Sequence, residues 1–180
     1  MRVVGGHLRG RTLRAVPGRS TRPTADRVRQ SLFDVLGQRC DGLHVLDLYA
    51  GTGALSLEAL SRGAAHATLI EQDAKAAQII LRNARELGCE DRCTLVRDEV
   101  ARALPRLAGP FDLVFSDPPY DLRAAQETLD ALLRLGLVAP QGRVVLERDR
   151  REARPALAVE LELADERRYG DTVVLIAGRR

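Results

Sequence analysis

The chain has 180 residues, 45% of them hydrophobic and 29% charged, with a net charge of +3. That is enough to bury the core of one domain; no run of about eighteen apolar residues offers a membrane span, and the start at Arg2 lacks the apolar stretch of a secretory signal, so a cytoplasmic protein is expected. Cys40, Cys89 and Cys93 are odd in number and lack zinc-ligand spacing, as do His7, His44 and His66, so buried unpaired thiols and no metal site are expected.

The charge is unevenly placed. Residues 1–40 carry nine arginines against Asp26 and Asp34, whereas the remaining 140 residues hold 19 basic and 23 acidic side chains. A basic arm of this kind suits a phosphate backbone. Within it, Val3, Val4, Leu8 and Leu13 alternate with Gly5, Gly6 and Gly10, which predicts a short hairpin, followed by a loop at Pro17 and Gly18. Thr24 then caps a predicted helix reaching about Leu36, with Val28, Leu32, Val35 and Leu36 on its inner face and Arg27, Arg29 and Gln30 pointing away. Arg9, Arg11, Arg22, Arg27 and Arg29 are the candidate nucleic-acid contacts. Residues 1–40 thus read as a basic extension packed on a core of residues 41–180.

From His44 onward short apolar runs alternate with helical stretches, the pattern of a parallel, doubly wound α/β sheet. Strands are predicted over 45–48, 67–70, 94–97, 111–115 and 143–147, with helices over 55–60, 74–87 and 124–135. The ending differs: two strands, 159–168 and 172–177, flank Tyr169-Gly170-Asp171 with no helix between them, so the sheet closes on an antiparallel hairpin.

Two motifs sit at strand ends. The first, Asp47-Leu48-Tyr49-Ala50-Gly51-Thr52-Gly53, turns from a strand into a helix; Gly51 and Gly53 permit a tight bend and close approach of a ligand to free helix N–H groups. Twenty residues after Gly51, Glu71 is placed to accept hydrogen bonds from ribose hydroxyls. Ser56 stands where a dinucleotide fingerprint has its third glycine, and Asp47 repels a pyrophosphate but suits a cation. The pattern therefore points to S-adenosylmethionine rather than to a nicotinamide cofactor. Gln72, Asp98 and Glu99 are placed to flank its adenine. The second motif, Ser116-Asp117-Pro118-Pro119-Tyr120, follows an apolar strand that the prolines end. There the Asp117 carboxylate and the Pro118 carbonyl can accept both hydrogens of an exocyclic amine while Tyr120 stacks on the base.

With these motifs in this order, the chain resembles the class I methyltransferases that modify exocyclic amines. The blocks Arg2-Val-Val-Gly-Gly-His-Leu-Arg-Gly-Arg and Arg22-Pro-Thr-Ala-Asp-Arg-Val-Arg make it similar, over nearly its whole length, to the RsmD family. That resemblance implies a Rossmann-like seven-stranded sheet, a monomer, and methylation of N2 of a guanine in 16S ribosomal RNA presented on an assembling 30S subunit. The runner-up is an N6-adenine methyltransferase acting on DNA or RNA, which the same Asp-Pro-Pro-Tyr run would serve.

Overall fold

The computed structural model of the chain describes residues 1–16, 23–118 and 122–180. One seven-stranded sheet comprises β1 (His44–Leu48), β2 (His66–Ile70), β3 (Cys93–Val96), β4 (Phe111–Ser116), β5 (Val138–Asp149), β6 (Leu161–Tyr169) and β7 (Thr172–Arg179), in the order β3-β2-β1-β4-β5-β7-β6. β1 to β5 are mutually parallel, and β7 runs antiparallel to both β5 and β6. The described helices are α1 (Pro23–Val35), α2 (Ala54–Ser61), α3 (Ala74–Leu87), α4 (Val100–Ala103) and α5 (Leu122–Arg134). Val45, Leu46, Leu48, Ala67, Leu69 and Ile70 are fully buried. Such continuous apolar runs, rather than alternating ones, suit strands covered by helices on both faces.

The chain builds β1, β2 and β3 outward, then crosses back to place β4 on the other side of β1, where Leu48 pairs with Ser116. This reversal leaves a crevice at the carboxyl ends of β1 and β4, the place where open α/β sheets bind ligands. α3 begins at Asp73, whose side chain accepts a hydrogen bond from the Ala76 amide at 2.8 Å, and ends at Gly88 in the left-handed region.

Four expectations need adjustment. α1 begins at Pro23, so Thr24 lies within its first turn instead of capping it. β5 runs well beyond 143–147 at its start, because its register against β4 is interrupted between Phe111 and Leu113, and Pro140 hides that irregular half from a periodicity reading. β6 begins at Leu161, leaving Val159 exposed. In α1 the buried face is Arg29, Leu32 and Phe33, continued by Leu36 just past the helix end, so Arg29 points inward and Val28 and Val35 are only half-buried. An inward arginine is tolerable because partners meet it: Arg29 donates to Asp26 Oδ1 at 2.8 Å, to Glu58 Oε2 at 3.4 Å and to the Arg2 carbonyl.

The first residues form the expected hairpin, with the Val3 amide donating to the Arg11 carbonyl and the Gly10 amide to the Val3 carbonyl, both at 2.9 Å. It lies against α2. Glu58, fully buried on that helix, accepts from the Val4 and Gly5 amides at 2.8 and 2.7 Å, and the Ser61 hydroxyl accepts from the Leu8 amide at 2.9 Å. Gly6 is required here, since it has φ 72° and a Cβ on it would stand 1.9 Å from the Ser61 carbonyl oxygen. α1 is fixed in turn by Phe33, whose ring lies 6.0 Å from that of Phe115 in β4, and by Ser31, whose hydroxyl is 2.7 Å from that of Tyr169 at the end of β6.

Candidate active site

The turn after β1 is held from three sides. The Gly53 amide donates to the Ala50 carbonyl at 2.8 Å, the Gly51 amide to Glu71 Oε2 at 2.7 Å, and Asn83 Nδ2 to the Thr52 carbonyl at 3.1 Å. Gly51 and Gly53 have φ of 60° and 76°, and Tyr49 shares the left-handed region at 62°. A Cβ on Gly53 would press on Leu69 at 3.2 Å, so the turn is both strained and tight for any other residue. Gly53 caps α2 from the left-handed region without a side-chain hydrogen bond, and the buried Asp47 carboxylate takes both the hydroxyl and the amide of Ser56 in the first turn of that helix.

A cleft of about 590 Å³ opens at the sheet reversal, lined by Tyr49, Ile70, Glu71, Gln72, Asp98, Glu99, Val100, Ala101, Asp117 and Pro118. Five of the residues expected at the cofactor therefore line one cleft with two expected at the target amine. Asp47, Ala50, Gly51, Thr52 and Gly53 are not among the residues that line it. Asp47 is buried and accepts from the Ser56 hydroxyl at 2.8 Å. Each Glu71 oxygen already accepts one backbone amide, Gly51 or Asp73, and keeps a lone pair for a further donor. Asp98 accepts from the Glu99 amide at 2.8 Å and pairs with Arg106; both hold its carboxyl below the usual range. Glu99 pairs with Arg102 at 3.4 Å on the exposed side. Pro119, Tyr120 and Arg22 lie outside the described residues.

The crevice concentrates acids. Burial raises Asp47 to about 7, against the Ser56 hydrogen bonds and with help from Asp117 and Glu71. Asp117 opens onto the cleft, but protein packed about its base still strips hydration from the carboxylate and lifts it to about 6. Glu147 on β5 rises to about 7, through burial and then through Asp117, eased by a hydrogen bond from Thr172. Sequence spacing gave no sign of Glu147, because only the β4–β5 pairing brings it beside Asp117. Acids that bind protons more tightly folded than unfolded contribute stability that is complete below about pH 4 and lost as pH climbs to about 7. The melting temperature of the ligand-free protein should therefore fall by roughly 5 °C between pH 5 and pH 8, and Asp47→Asn should flatten the slope. A flat profile in the parent protein would show that these acids are hydrated as in solution.

The arm presents Arg9, Arg11 and Arg27 to solvent, whereas Arg29 is withdrawn from any surface role by the partners named above. Arg11 also donates to the Glu86 carbonyl on α3 at 2.7 Å, and Arg14 pairs with the Glu86 carboxylate at the same distance. Glu58, Ser61, Arg62 and Asn83, which carry the docking of the arm, escape a sequence reading because their partners lie dozens of residues away. Cys40, Cys89 and Cys93 are unpaired, and Cys40 is pushed up to about 11 by burial. Among the described residues no helix is long and apolar enough to cross a membrane, and no group of three or more His, Cys, Asp or Glu side chains is arranged to hold a metal ion.

Residues 1–178 match the model of the family described as Conserved hypothetical protein 95. The chain is 37% identical to a Bacillus subtilis (strain 168) protein assigned as an rRNA methyltransferase, YlbH, with 100% of both chains covered. It is 35% identical to the Ribosomal RNA small subunit methyltransferase D of Escherichia coli (strain K12), covering 94% of this chain and 85% of that one. Among solved structures it superposes with a TM-score of 0.90 on yhhF from Escherichia coli, assigned as a methyltransferase, at 32% identity over 100% of this chain and 98% of the other. Sequence, sheet order and crevice together place the chain in this family, Conserved hypothetical protein 95, to which the small-subunit ribosomal RNA methyltransferases D (RsmD) belong.

Proposed function

We propose that the protein transfers a methyl group from S-adenosylmethionine to the exocyclic N2 of a guanine in 16S ribosomal RNA. The observation that carries this reading is that Asp117 and Pro118, at the carboxyl end of β4, line the same cleft as Glu71, Gln72, Asp98 and Glu99. The acid set suits the donor: Asp47, Asp117 and Glu147 are each raised by burial, and a cation in the crevice would favour their ionised forms. When bound, S-adenosylmethionine supplies an electrophilic methyl on a sulfonium centre. The braced Gly51–Gly53 turn and Glu71 would hold its amino-acid and ribose parts, and Asp98 or Glu99 its adenine.

An aromatic amine is a weak nucleophile because its lone pair is delocalised into the ring. Asp117 and the Pro118 carbonyl accept its two hydrogens, favour the pyramidal form, and keep nitrogen in line with the methyl. As the nitrogen–carbon bond forms, the methyl–sulfur bond would break and its electron pair would leave with sulfur in S-adenosylhomocysteine; nitrogen then loses one proton, and Asp117 is placed to receive it and pass it to solvent. Tyr120 supplies the aromatic face in this reading. A base in a duplex would have to leave its stack to reach the cleft, so a loop or an assembly intermediate is the favoured presentation. The protein acts as a monomer on ribosomal RNA within an assembling 30S subunit.

Arg9, Arg11 and Arg27 form the phosphate-binding part of the arm. Reversing all three to glutamate should weaken RNA binding and reduce the slope of log affinity against log salt by about 0.7 for each lost contact. An unchanged slope, measured by filter binding between low and physiological salt, would remove the arm from the RNA interface. The function itself is tested by labelled-methyl transfer to 30S particles, naked 16S RNA and duplex DNA, followed by nucleoside analysis. N2-methylguanosine from ribosomal material supports the proposal. N6-methyladenine would keep the Asp117 chemistry and replace the target, and no transfer to any substrate would overturn both.

A further inference from the structure

Asn83 is an unexpected residue for its position. It lies on the inner face of α3, 1% exposed, where an apolar side chain would favour both the helix and the core. Its amide is fully used by groups outside its own helix. Oδ1 accepts from the Arg14 amide at 2.8 Å, and Nδ2 donates to the Arg14 carbonyl at 3.2 Å and to the Thr52 carbonyl at 3.1 Å. Engaging both the N–H and the C=O of Arg14 does what a neighbouring strand would do, and fixes the backbone of the arm at that residue. The third bond fixes Thr52, whose neighbours Gly51 and Gly53 form the cofactor turn. One buried side chain therefore spans the arm and the turn, with no second residue between them.

We infer that Asn83 is a positioning residue that latches the RNA-contacting arm to the cofactor turn, so that cofactor and RNA bind cooperatively; this rests on the function proposed above. The physical basis is shared ordering. A ligand that settles the turn holds the Thr52 carbonyl where Asn83 needs it, and the same amide orientation presents the pair of groups that Arg14 requires. The second ligand then meets a site whose ordering cost has already been met. Reciprocity demands that RNA tighten the cofactor by the same factor as the cofactor tightens RNA.

The test is calorimetric binding of S-adenosylhomocysteine, an unreactive probe, with and without saturating 16S RNA or 30S particles, and of RNA with and without the probe. In the parent protein each ligand should tighten the other by about five- to tenfold. Asn83→Ala should bring that ratio close to one. Arg14→Pro should do the same, since it deletes the arm amide that Asn83 accepts while leaving α3 intact; it also decides the matter if Asn83→Ala does not fold. Arg14→Ala keeps that amide, loses only the Glu86 ion pair, and should keep the ratio. A general loss of packing would instead lower both affinities and leave their ratio alone. A ratio near one in the parent protein, or an unaltered ratio in both Asn83→Ala and Arg14→Pro, overturns the latch while leaving the methyltransferase reading standing. Failure of the parent protein to bind both the probe and RNA overturns that reading and the latch with it.

Discussion

Asp117→Ala is expected to lower methyl transfer by about a thousandfold while changing the affinity for S-adenosylhomocysteine by less than about threefold. The asymmetry follows from position. Asp117 sits at the end of β4 facing the cleft, whereas the groups proposed to hold the cofactor come from the turn after β1 and from the ends of β2 and β3. Asp117→Asn retains an acceptor oxygen but no charge, and should fall between the parent protein and the alanine variant. The pH profile separates their roles: with Asp117 at about 6 in the free protein, kcat/KM should rise through that region, and Asp117→Asn should lose the limb. Asp117 also raises Asp47 and Glu147, so removing its charge should make the ligand-free protein slightly more stable at pH 8 as activity disappears. Loss of probe binding in step with activity would show that Asp117 serves the cofactor instead.

What could be read from the sequence depended on how local its cause was. The strands from β1 to β4, the left-handed glycines at Gly51 and Gly53, and the placement of Asp117 just past a strand all follow from contiguous residues. The reversal of strand order made the crevice a matter of topology, and the closing hairpin followed from a turn too short for a helix. Arg29 went the other way. In an amphipathic pattern an arginine reads as outward, and only three-dimensional contact supplies Asp26, Glu58 and the Arg2 carbonyl that make its burial tolerable. Phe33 was passed over for the same reason, since the true inner face of α1 is rotated by about one residue from the one that Val28 and Val35 suggest. Glu58 and Asn83 carry no periodic or motif signal at all. Each is a polar residue in a helix whose meaning comes from partners as many as 54 and 69 positions away.

Glu58→Ala should cost about 3–5 kcal/mol and lower the melting temperature by roughly 10 °C or more. The carboxylate is fully buried and accepts four donors: the Val4 and Gly5 amides, Arg62 Nε at 2.8 Å and Arg29 Nε at 3.4 Å. Its removal strands the buried Arg62 guanidinium and two amides, and leaves Arg29 with Asp26 and the Arg2 carbonyl alone. Arg62 is the more exposed to this loss, since its Nη2 has no partner even now and its remaining contacts are the Gln38 carbonyl and the face of the Phe33 ring. The penalty is thus one of leaving charges unpaired rather than the net worth of the ion pairs, and a second variant distinguishes the two. Replacing Arg29, Glu58 and Arg62 together by methionine or leucine should restore much of the lost stability, because no unpaired charge remains in the buried cluster and Asp26, partly exposed, keeps Arg2 at 3.9 Å. The Val4 and Gly5 amides stay orphaned in that triple variant, so the arm should still be loosened: its RNA affinity should remain low although the fold has recovered. A Glu58→Ala protein that melts within about 2 °C of the parent would mean that water reaches the cluster. In that case the hairpin is held by Ser61, Asn83 and its own hydrogen bonds, and the buried charges contribute little to either stability or RNA binding.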